Sequence, residues 1–326
     1  MIQPKKIGLF GFGTVGKGFY ENLKKHPHIP AIISKVCVRR IDLPRIGHEL
    51  YFTDNPDELI NDPEIDIIIE VIDDADSAKE YIEKALTAGK HVISANKKMI
   101  GESLEEVDLW HQEFDSSFLY EAAVGGGIPI VNAVDGFFRD QEVIKIRGIL
   151  NGSSNYILTQ MQQNNWSYDK ALLDAQNKGF AERNPNLDVS GVDASYKLSI
   201  LAYHAFGKVI SMTSCELEAI SELTPDMIKK ASDVGKKIKQ IATITKLNDQ
   251  LFCSVKPKQV GPNDDLYSVD FENNAISIET AISGTHTFVG KGAGSLPTGS
   301  AVMEDLKRIL SGYKYQVGQK RIAVLA

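Results

Sequence analysis

The sequence predicts an α/β protein: a doubly wound parallel sheet followed by a second domain of α+β type. Three observations carry that expectation. Over roughly the first 145 residues, short β-rich apolar runs alternate with amphipathic helical stretches, the pattern of strands joined by crossover helices. A glycine-rich run, Gly11-Phe12-Gly13-Thr14-Val15-Gly16, stands between the first such strand and the first such helix. After Arg139 the alternation gives way to clustered helices and then to clustered strands.

Strands are expected at Lys6–Phe10, Ile32–Val38, Ile65–Val71, His91–Ala95 and Phe118–Glu121, where β-branched and aromatic residues run between turn formers. Between them, apolar residues at helical spacing mark helices at about Thr14–Lys25, Ser77–Ala88, Leu104–Phe114 and Ile128–Phe138. In the second part a strand-like run, Glu142–Leu150, leads to helices near Ser153–Gln163, Tyr168–Lys178 and Val192–Phe206. A long helix is expected at Pro225–Thr245, with Lys229, Lys230, Lys236, Lys237 and Lys239 on its solvated face. Trp110 and Trp166 fall within expected helices and read as packing residues. Strand-like segments at Leu251–Lys256, Ala275–Ser283 and His286–Val289 precede a final helix at about Thr298–Ser311. That helix follows the glycine-rich Gly290–Gly294, so the chain is expected to return to its first domain. The expected boundaries are 1–138 plus 295–326 for the first domain and 139–294 for the second.

Composition limits the function classes. With 326 residues, 43% hydrophobic and 24% charged, the chain has the make-up of an ordinary globular protein of about two domains. Lys and Arg total 36 against 43 Asp and Glu, a net charge of −7, so no global basic field recruits nucleic acid or an anionic membrane. A small molecule is the expected partner. No apolar stretch approaches the roughly 20 residues that span a bilayer. Met1-Ile2-Gln3-Pro4-Lys5-Lys6 runs straight into a strand, with no room for a secretory signal. Cys37, Cys215 and Cys253 are odd in number, far apart and without CxxC spacing, so all three are expected as free, buried thiols in a reducing compartment. A cytoplasmic protein is expected. The seven histidines show neither HxxxH nor HExxH spacing, and no histidine metal site is assigned.

Because the glycine-rich run follows a strand and opens a helix, its G-x-G-x-x-G spacing reads as a Rossmann-type dinucleotide fingerprint. Gly11, Gly13 and Gly16 let the backbone turn tightly and approach a pyrophosphate, stabilised by the helix N-terminus at Thr14 and Val15. An acid at the end of the second strand would accept from the ribose 2′-hydroxyl of NAD, but this strand ends Val38-Arg39-Arg40. Two guanidiniums there favour the 2′-phosphate of NADP, with a solvated basic turn as the alternative. Ser94-Ala95-Asn96-Lys97-Lys98 follows the fourth strand and puts Lys97 at the cleft edge, where a lysine can hold a carboxylate or donate to a carbonyl.

The segment from Gly179 to Lys197 concentrates carboxylates, Glu182, Asp188 and Asp193 among them, just before an apolar helix. Asp193 and Lys197 are four residues apart and share one helix face. Among Leu198, Ile200, Leu201 and Ala202 the charged form of a lysine is disfavoured and a nearby carboxylate restores it, an opposition that suits proton transfer. An ordinary helical salt bridge has the same spacing.

These blocks occur together with Glu121-Ala122-Ala123-Val124-Gly125-Gly126-Gly127-Ile128-Pro129, Arg147-Gly148-Ile149-Leu150-Asn151-Gly152-Ser153-Ser154-Asn155-Tyr156 and Gly292-Ala293-Gly294-Ser295-Leu296-Pro297-Thr298. In this order, and over nearly the whole chain, the sequence resembles the homoserine dehydrogenase family in its short form, without the ACT domain of longer homologues. The resemblance implies NAD(P)-dependent interconversion of L-homoserine and L-aspartate 4-semialdehyde, a step toward threonine and methionine. It implies Lys197 as proton donor or acceptor, Asp193 as its orienting and substrate-binding partner, and Glu182 as the group that recognises the substrate amine. Asp188 completes the polar wall, and Lys97 is the second active-site lysine, beside the nicotinamide. Main-chain oxygens of Glu121, Val124, Gly126 and Ile128 match the family's sodium loop, although glycines there also serve close strand-to-helix packing. Gly294 approaches the cofactor. The second domain becomes a substrate-binding and dimerisation domain, with a homodimer formed through its sheet.

Two stretches depart from the family pattern. Ile72-Asp73-Asp74-Ala75-Asp76 stands where small residues are usual, placing Asp73 beside the cofactor, either to accept from ribose hydroxyls or to repel phosphate. Glu182-Arg183-Asn184-Pro185 replaces the usual Glu-x-Asp-Pro. Arg183 and Asn184 motivate one rival reading, a related NADP-dependent reductase of another small amino-acid carbonyl. A catalytically silent NADP-binding regulator is a second, disfavoured because Glu182, Asp188, Asp193, Lys197 and Lys97 are all present.

Overall fold

Ile7, Leu9 and Phe10 are fully buried along β1 (Lys5–Phe10), as befits a strand covered on both faces. The computed structural model describes residues 3–317 and divides into two units, one up to Val131 and again from Ala293, the other Asn132–Gly292.

In the first unit α1 (Thr14–Lys25) follows β1 and leads to β2 (Ala31–Cys37) and β3 (Tyr51–Thr53). Then come α2 (Asp57–Ile60), β4 (Ile67–Glu70), α3 (Ala75–Thr87) and β5 (His91–Ser94). Two helices, α4 (Lys97–Glu102) and α5 (Leu104–Glu113), precede β6 (Phe118–Leu119). The strands form one parallel sheet in the order β3-β2-β1-β4-β5-β6, so chain direction along the sheet reverses beside β1. Ligands of doubly wound sheets bind beyond the carboxyl ends of the strands at that switch point. β3 and α2 were not expected from the sequence; with three and four residues they are too short to carry a periodic signal.

A closing helix, Ser295–Leu310, completes this unit by lying against α1. The approach is so close that a Cβ on Gly18 would stand 1.9 Å from the Ser295 carbonyl oxygen, and one on Gly299 would stand 2.4 Å from the Gly18 carbonyl carbon. Residues 318–326 of the expected returning segment lie outside the described residues.

The chain leaves the first unit through α6 (Ile130–Asp135). In the second unit β7 (Val143–Ile149) is followed by α7 (Gly152–Asn164), α8 (Tyr168–Asn177), α9 (Asn186–Val189) and α10 (Val192–Phe206). After them come β8 (Glu216–Leu217), α11 (Pro225–Asp233), β9 (Lys237–Leu247), β10 (Gln250–Val260), β11 (Asn273–Thr280) and β12 (Gly284–Lys291). A six-stranded mixed sheet runs β12-β11-β7-β9-β10-β8, with β7 antiparallel to both of its neighbours. α7 and α10 pack against its central strands.

Three expectations are corrected here. The long helix at Pro225–Thr245 is instead α11 followed by β9: Gly235, at φ 72°, ends the helical run, and the β-branched residues beyond it pair with β7 and β10. Lys239 is therefore not on a solvated face. It is 1% exposed, and its ammonium donates to Asp270 Oδ1 at 2.7 Å, the Val269 carbonyl at 2.6 Å and Asn155 Oδ1 at 3.2 Å. Cys215 and Cys253 form a disulfide, leaving Cys37 as the free cysteine, its thiol pushed up to about 11 by burial and by the charges of Asp54 and Glu58. Trp166 lies in the turn between α7 and α8, with the Lys170 ammonium 4.4 Å from its ring centre, while Trp110 is buried in α5. Among the described residues no helix is long and apolar enough to cross a membrane.

Candidate functional site

One candidate site is the carboxyl edge of the parallel sheet in the first unit. Gly11 has φ +94°, and a Cβ there would meet the Val71 carbonyl oxygen at 2.8 Å; a Cβ on Gly16 would stand 2.4 Å from the Gly11 carbonyl. The turn between β1 and α1 therefore requires both glycines. Gly13 differs, because nothing lies within 4 Å of the Cβ it lacks, so open space borders the backbone at the start of α1. No side chain caps that helix and no acid stands in its first turn, which leaves the N–H groups of Thr14, Val15 and Gly16 facing that space. A backbone cradle rich in donors and free of acids fits a dinucleotide pyrophosphate. Gly294 caps the closing helix at φ +119°, and its neighbour Ser295 donates from Oγ to the Thr14 carbonyl at 2.8 Å, so this segment borders the same helix start.

Arg39 and Arg40 are exposed just beyond β2. The Arg39 charge reaches Asp74, as does that of Lys98, but hydrogen bonds from Ser77 do most to hold the Asp74 carboxyl below its usual range. Asp74 Oδ1 accepts from the Ser77 N–H at 2.8 Å and caps α3. This acidic departure from the family pattern is thus a helix cap, with Asp73 exposed beside it. Lys97 is the first residue of α4, half-buried, on a turn fixed by Asn96, whose Oδ1 accepts from the Met99 N–H at 3.0 Å. Ser94 is fully buried, and its hydroxyl donates to Glu70 Oε2 at 2.5 Å.

After β6 a 3-10 turn, Glu121–Ala123, leads into Gly125 and Gly126, both left-handed at φ 73° and 57°. Glu121, Val124 and Ile128 are buried. The Glu121 N–H donates to Asp305 Oδ2 at 2.8 Å and Glu121 Oε1 accepts from the Val131 N–H at 3.1 Å. Burial, and then the charge of Glu121, pushes the Asp305 carboxyl well above its usual range. Two buried acids therefore stand beside this loop, with Asp305 held toward its neutral form.

A second candidate site lies in the second unit, at the end of β7 and the start of α10. Lys197 and Asp193 are 8% and 6% exposed, and Lys197 Nζ donates to Asp193 Oδ2 and to the Leu150 carbonyl, both at 2.7 Å. Asn151 Nδ2 donates to Asp188 Oδ1 at 2.7 Å and to Asp193 Oδ2 at 2.8 Å, while its Oδ1 accepts from the Ser154 N–H and caps α7. Burial and the neighbouring Asp193 charge raise the Asp188 carboxyl above its ordinary value, against the hydrogen bond from Asn151 and the charge of Lys197. Asp188, Asp193 and Lys197 are thus brought together. Glu182 stays exposed at the head of the segment, its carbonyl accepting from Gln176 Nε2 at 3.0 Å. Asn184 accepts from the Asn186 N–H at 3.4 Å, so it serves the turn that opens α9.

Sequence reasoning missed Asn151 as the partner of Asp188 and Asp193, and Glu70 as the buried partner of Ser94 and Ile72. The placement of Asn151 before a helix signalled its cap, and an acid ending the apolar run Ile67-Ile68-Ile69-Glu70 was the visible sign of the other.

Residues 129–306 match the family described as homoserine dehydrogenase, and residues 11–113 match its NAD binding domain. A homoserine dehydrogenase from Lactococcus lactis subsp. lactis is 35% identical over 319 residues, 94% of this chain and 74% of the relative. One from Bacillus subtilis is 33% identical over 97% of this chain and 75% of its own length. The solved structure of a homoserine dehydrogenase from Thiobacillus denitrificans superposes with a TM-score of 0.93 at 31% identity, covering 98% of this chain and 78% of that one.

Proposed function

The chain belongs to the homoserine dehydrogenase family, and from that premise we propose how its residues carry out the interconversion of L-homoserine and L-aspartate 4-semialdehyde. Bound NAD(P)H supplies the hydride that reduces the aldehyde carbon, and the oxidised form accepts it in the reverse direction. Lys197 provides the proton for the developing alkoxide oxygen and takes it back when the alcohol is oxidised. The observation that carries this role is the commitment of two ammonium protons at 2.7 Å, one to Asp193 and one to the Leu150 carbonyl. They fix the lysine and leave its third N–H to face the substrate. Asp193 orients the lysine, and Asp188 and Glu182 take the substrate's ammonium side. Lys97 is the second lysine, toward the nicotinamide.

Arg39 and Arg40 pair with a 2′-phosphate, making NADP the preferred cofactor over NAD. Gly11, Gly13, Thr14, Val15 and Gly16 seat the pyrophosphate, with Gly294 at its side and Asp73 at the ribose edge, while the buried Ser94 stands beneath that edge, bonded to Glu70. Carbonyl oxygens of Glu121, Val124, Gly126 and Ile128 hold sodium. The enzyme works as a homodimer joined through the second unit's sheet, a reading supported by exposed Leu247, Phe252 and Val289 on its strands.

The test is initial-rate oxidation of L-homoserine, followed by nicotinamide absorbance, with NADP and NAD in parallel, with and without sodium, for wild type and Lys197→Ala. Wild type should turn over faster with NADP and with sodium, and the variant should lose about 100-fold or more in kcat. A folded, NADPH-binding wild type without turnover would redirect the search to other amino-acid carbonyls. Near-wild-type turnover in the variant would remove Lys197 from proton transfer.

A further inference from the structure

A buried carboxyl, Glu70, lies beneath the cofactor edge of the first unit. Glu70, the last residue of β4, has no exposed surface. Its Oε1 accepts from the Ile72 N–H at 2.7 Å and its Oε2 from the Ser94 hydroxyl at 2.5 Å, across the register pair that joins β4 to β5. Ser94 Oγ in turn accepts from the Asn96 N–H at 3.0 Å, and Asn96 Nδ2 returns to the Ile72 carbonyl at 3.2 Å. The ring is closed: Glu70, Ser94, Asn96 and Ile72 each touch the next. Its Val71–Ile72 corner is also the surface on which Gly11 rests, since a Cβ on Gly11 would meet the Val71 oxygen at 2.8 Å and Ile72 Cγ2 at 3.1 Å.

Three loops meet on this ring: the fingerprint turn at Gly11, the turn after β4 that carries Asp73, and the turn after β5 that carries Lys97. None of them contributes the acid that braces it. We infer that Glu70 is a positioning residue for the dinucleotide, fixing these three loops in the conformation that accepts it without touching it. The inference rests on NAD(P) binding at this edge. Both carboxylate oxygens accept, the arrangement that a carboxylate makes and a neutral amide cannot make at both ends. The Ile72 N–H and the Ser94 hydroxyl, buried at the same place, have no water to turn to when an acceptor is lost.

The experiment is a fluorescence titration of NADPH into wild type, Glu70→Gln, Ser94→Ala and the double variant, with kcat and both KM values measured on the same preparations and folding checked by thermal melts. Glu70→Gln should raise the Kd for NADPH about tenfold, the scale of one buried donor left without its acceptor. Its kcat at saturating cofactor should stay within about twofold of wild type, because the reacting cluster is untouched. Ser94→Ala should raise the Kd as well, and the double variant should be no worse than Glu70→Gln alone, since both act through one ring. Should Glu70→Gln fail to fold, Ser94→Ala carries the same test. Wild-type affinity in either folded single variant would overturn the inference, as would a fall in kcat with Kd unchanged. Wild type that fails to bind NADPH would overturn the premise of a cofactor edge, an outcome separate from the other two.

Discussion

Lys197 meets Asp193 through the four-residue spacing that its helix displays in the sequence, whereas the Asn151 amide reaches Asp188 and Asp193 across 37 and 42 residues. The ion pair was legible because it is local. The amide that binds both carboxylates is set by where β7 ends, which no local pattern encodes. Glu70 shows the same contrast in its titration. Burial pushes its carboxyl up to about 7 from an ordinary 4.5, the charge of Asp73 adds to the rise, and Ser94 and Ile72 oppose it. The folded chain therefore holds this proton more tightly than the unfolded chain does. The stability so contributed is complete below about pH 4.5 and is lost as pH rises through about 7, on the order of 3 kcal/mol for a shift of that size. Glu70→Gln does not titrate, so its urea midpoint should fall less than that of wild type between about pH 5 and about pH 8. Parallel pH curves for the two proteins would show that this group keeps one protonation state throughout.

Helices with a long periodic face came through at element scale: α1 and α10 run Thr14–Lys25 and Val192–Phe206, as the spacing of their apolar residues and their glycine flanks indicate. The stretch after Thr224 misled, because lysines at 229, 230, 236, 237 and 239 resemble a solvated helix face. Their division into α11 and β9 turns on Gly235, and Lys239 is buried by partners at Asn155, Val269 and Asp270 that lie far away in sequence. The fit of α1 to the closing helix is another property that only the folded element pair has. Gly18→Ala would press a methyl group into the Ser295 carbonyl, a backbone atom that cannot swing aside. Such overpacking should lower the urea midpoint by the equivalent of about 1–3 kcal/mol. An unchanged midpoint would mean that the two helices separate at little cost.

For the whole molecule, the structure divides into two units, the first made from two stretches of chain, with limits at Val131 and Ala293 where the sequence pattern suggests 138 and 295. The Cys215–Cys253 disulfide was not legible, because three scattered cysteines give no pairing and the contact forms only when the Cys215 segment lies beside β10. It spans 38 residues, and a link of that length stabilises by about 4 kcal/mol through the entropy it removes from the unfolded chain. Reductant should accordingly lower the urea midpoint of the second unit, read on Tyr and Trp fluorescence. Identical curves with and without reductant would show that the thiols are already separate in solution. The two-stretch make-up of the first unit has a further consequence during synthesis. A ribosome delivers β1 to β6 early, then all of the second unit, and only afterward the closing helix that α1 is shaped to receive. At about 5–20 residues per second, the nascent nucleotide unit waits roughly ten to thirty seconds with the glycine face of α1 bare, while the uninterrupted second unit can fold as it emerges. Cofactor capture thereby becomes a late event in the life of the chain, and a product truncated before Ser295 leaves the ribosome without the segment that borders its own dinucleotide cradle.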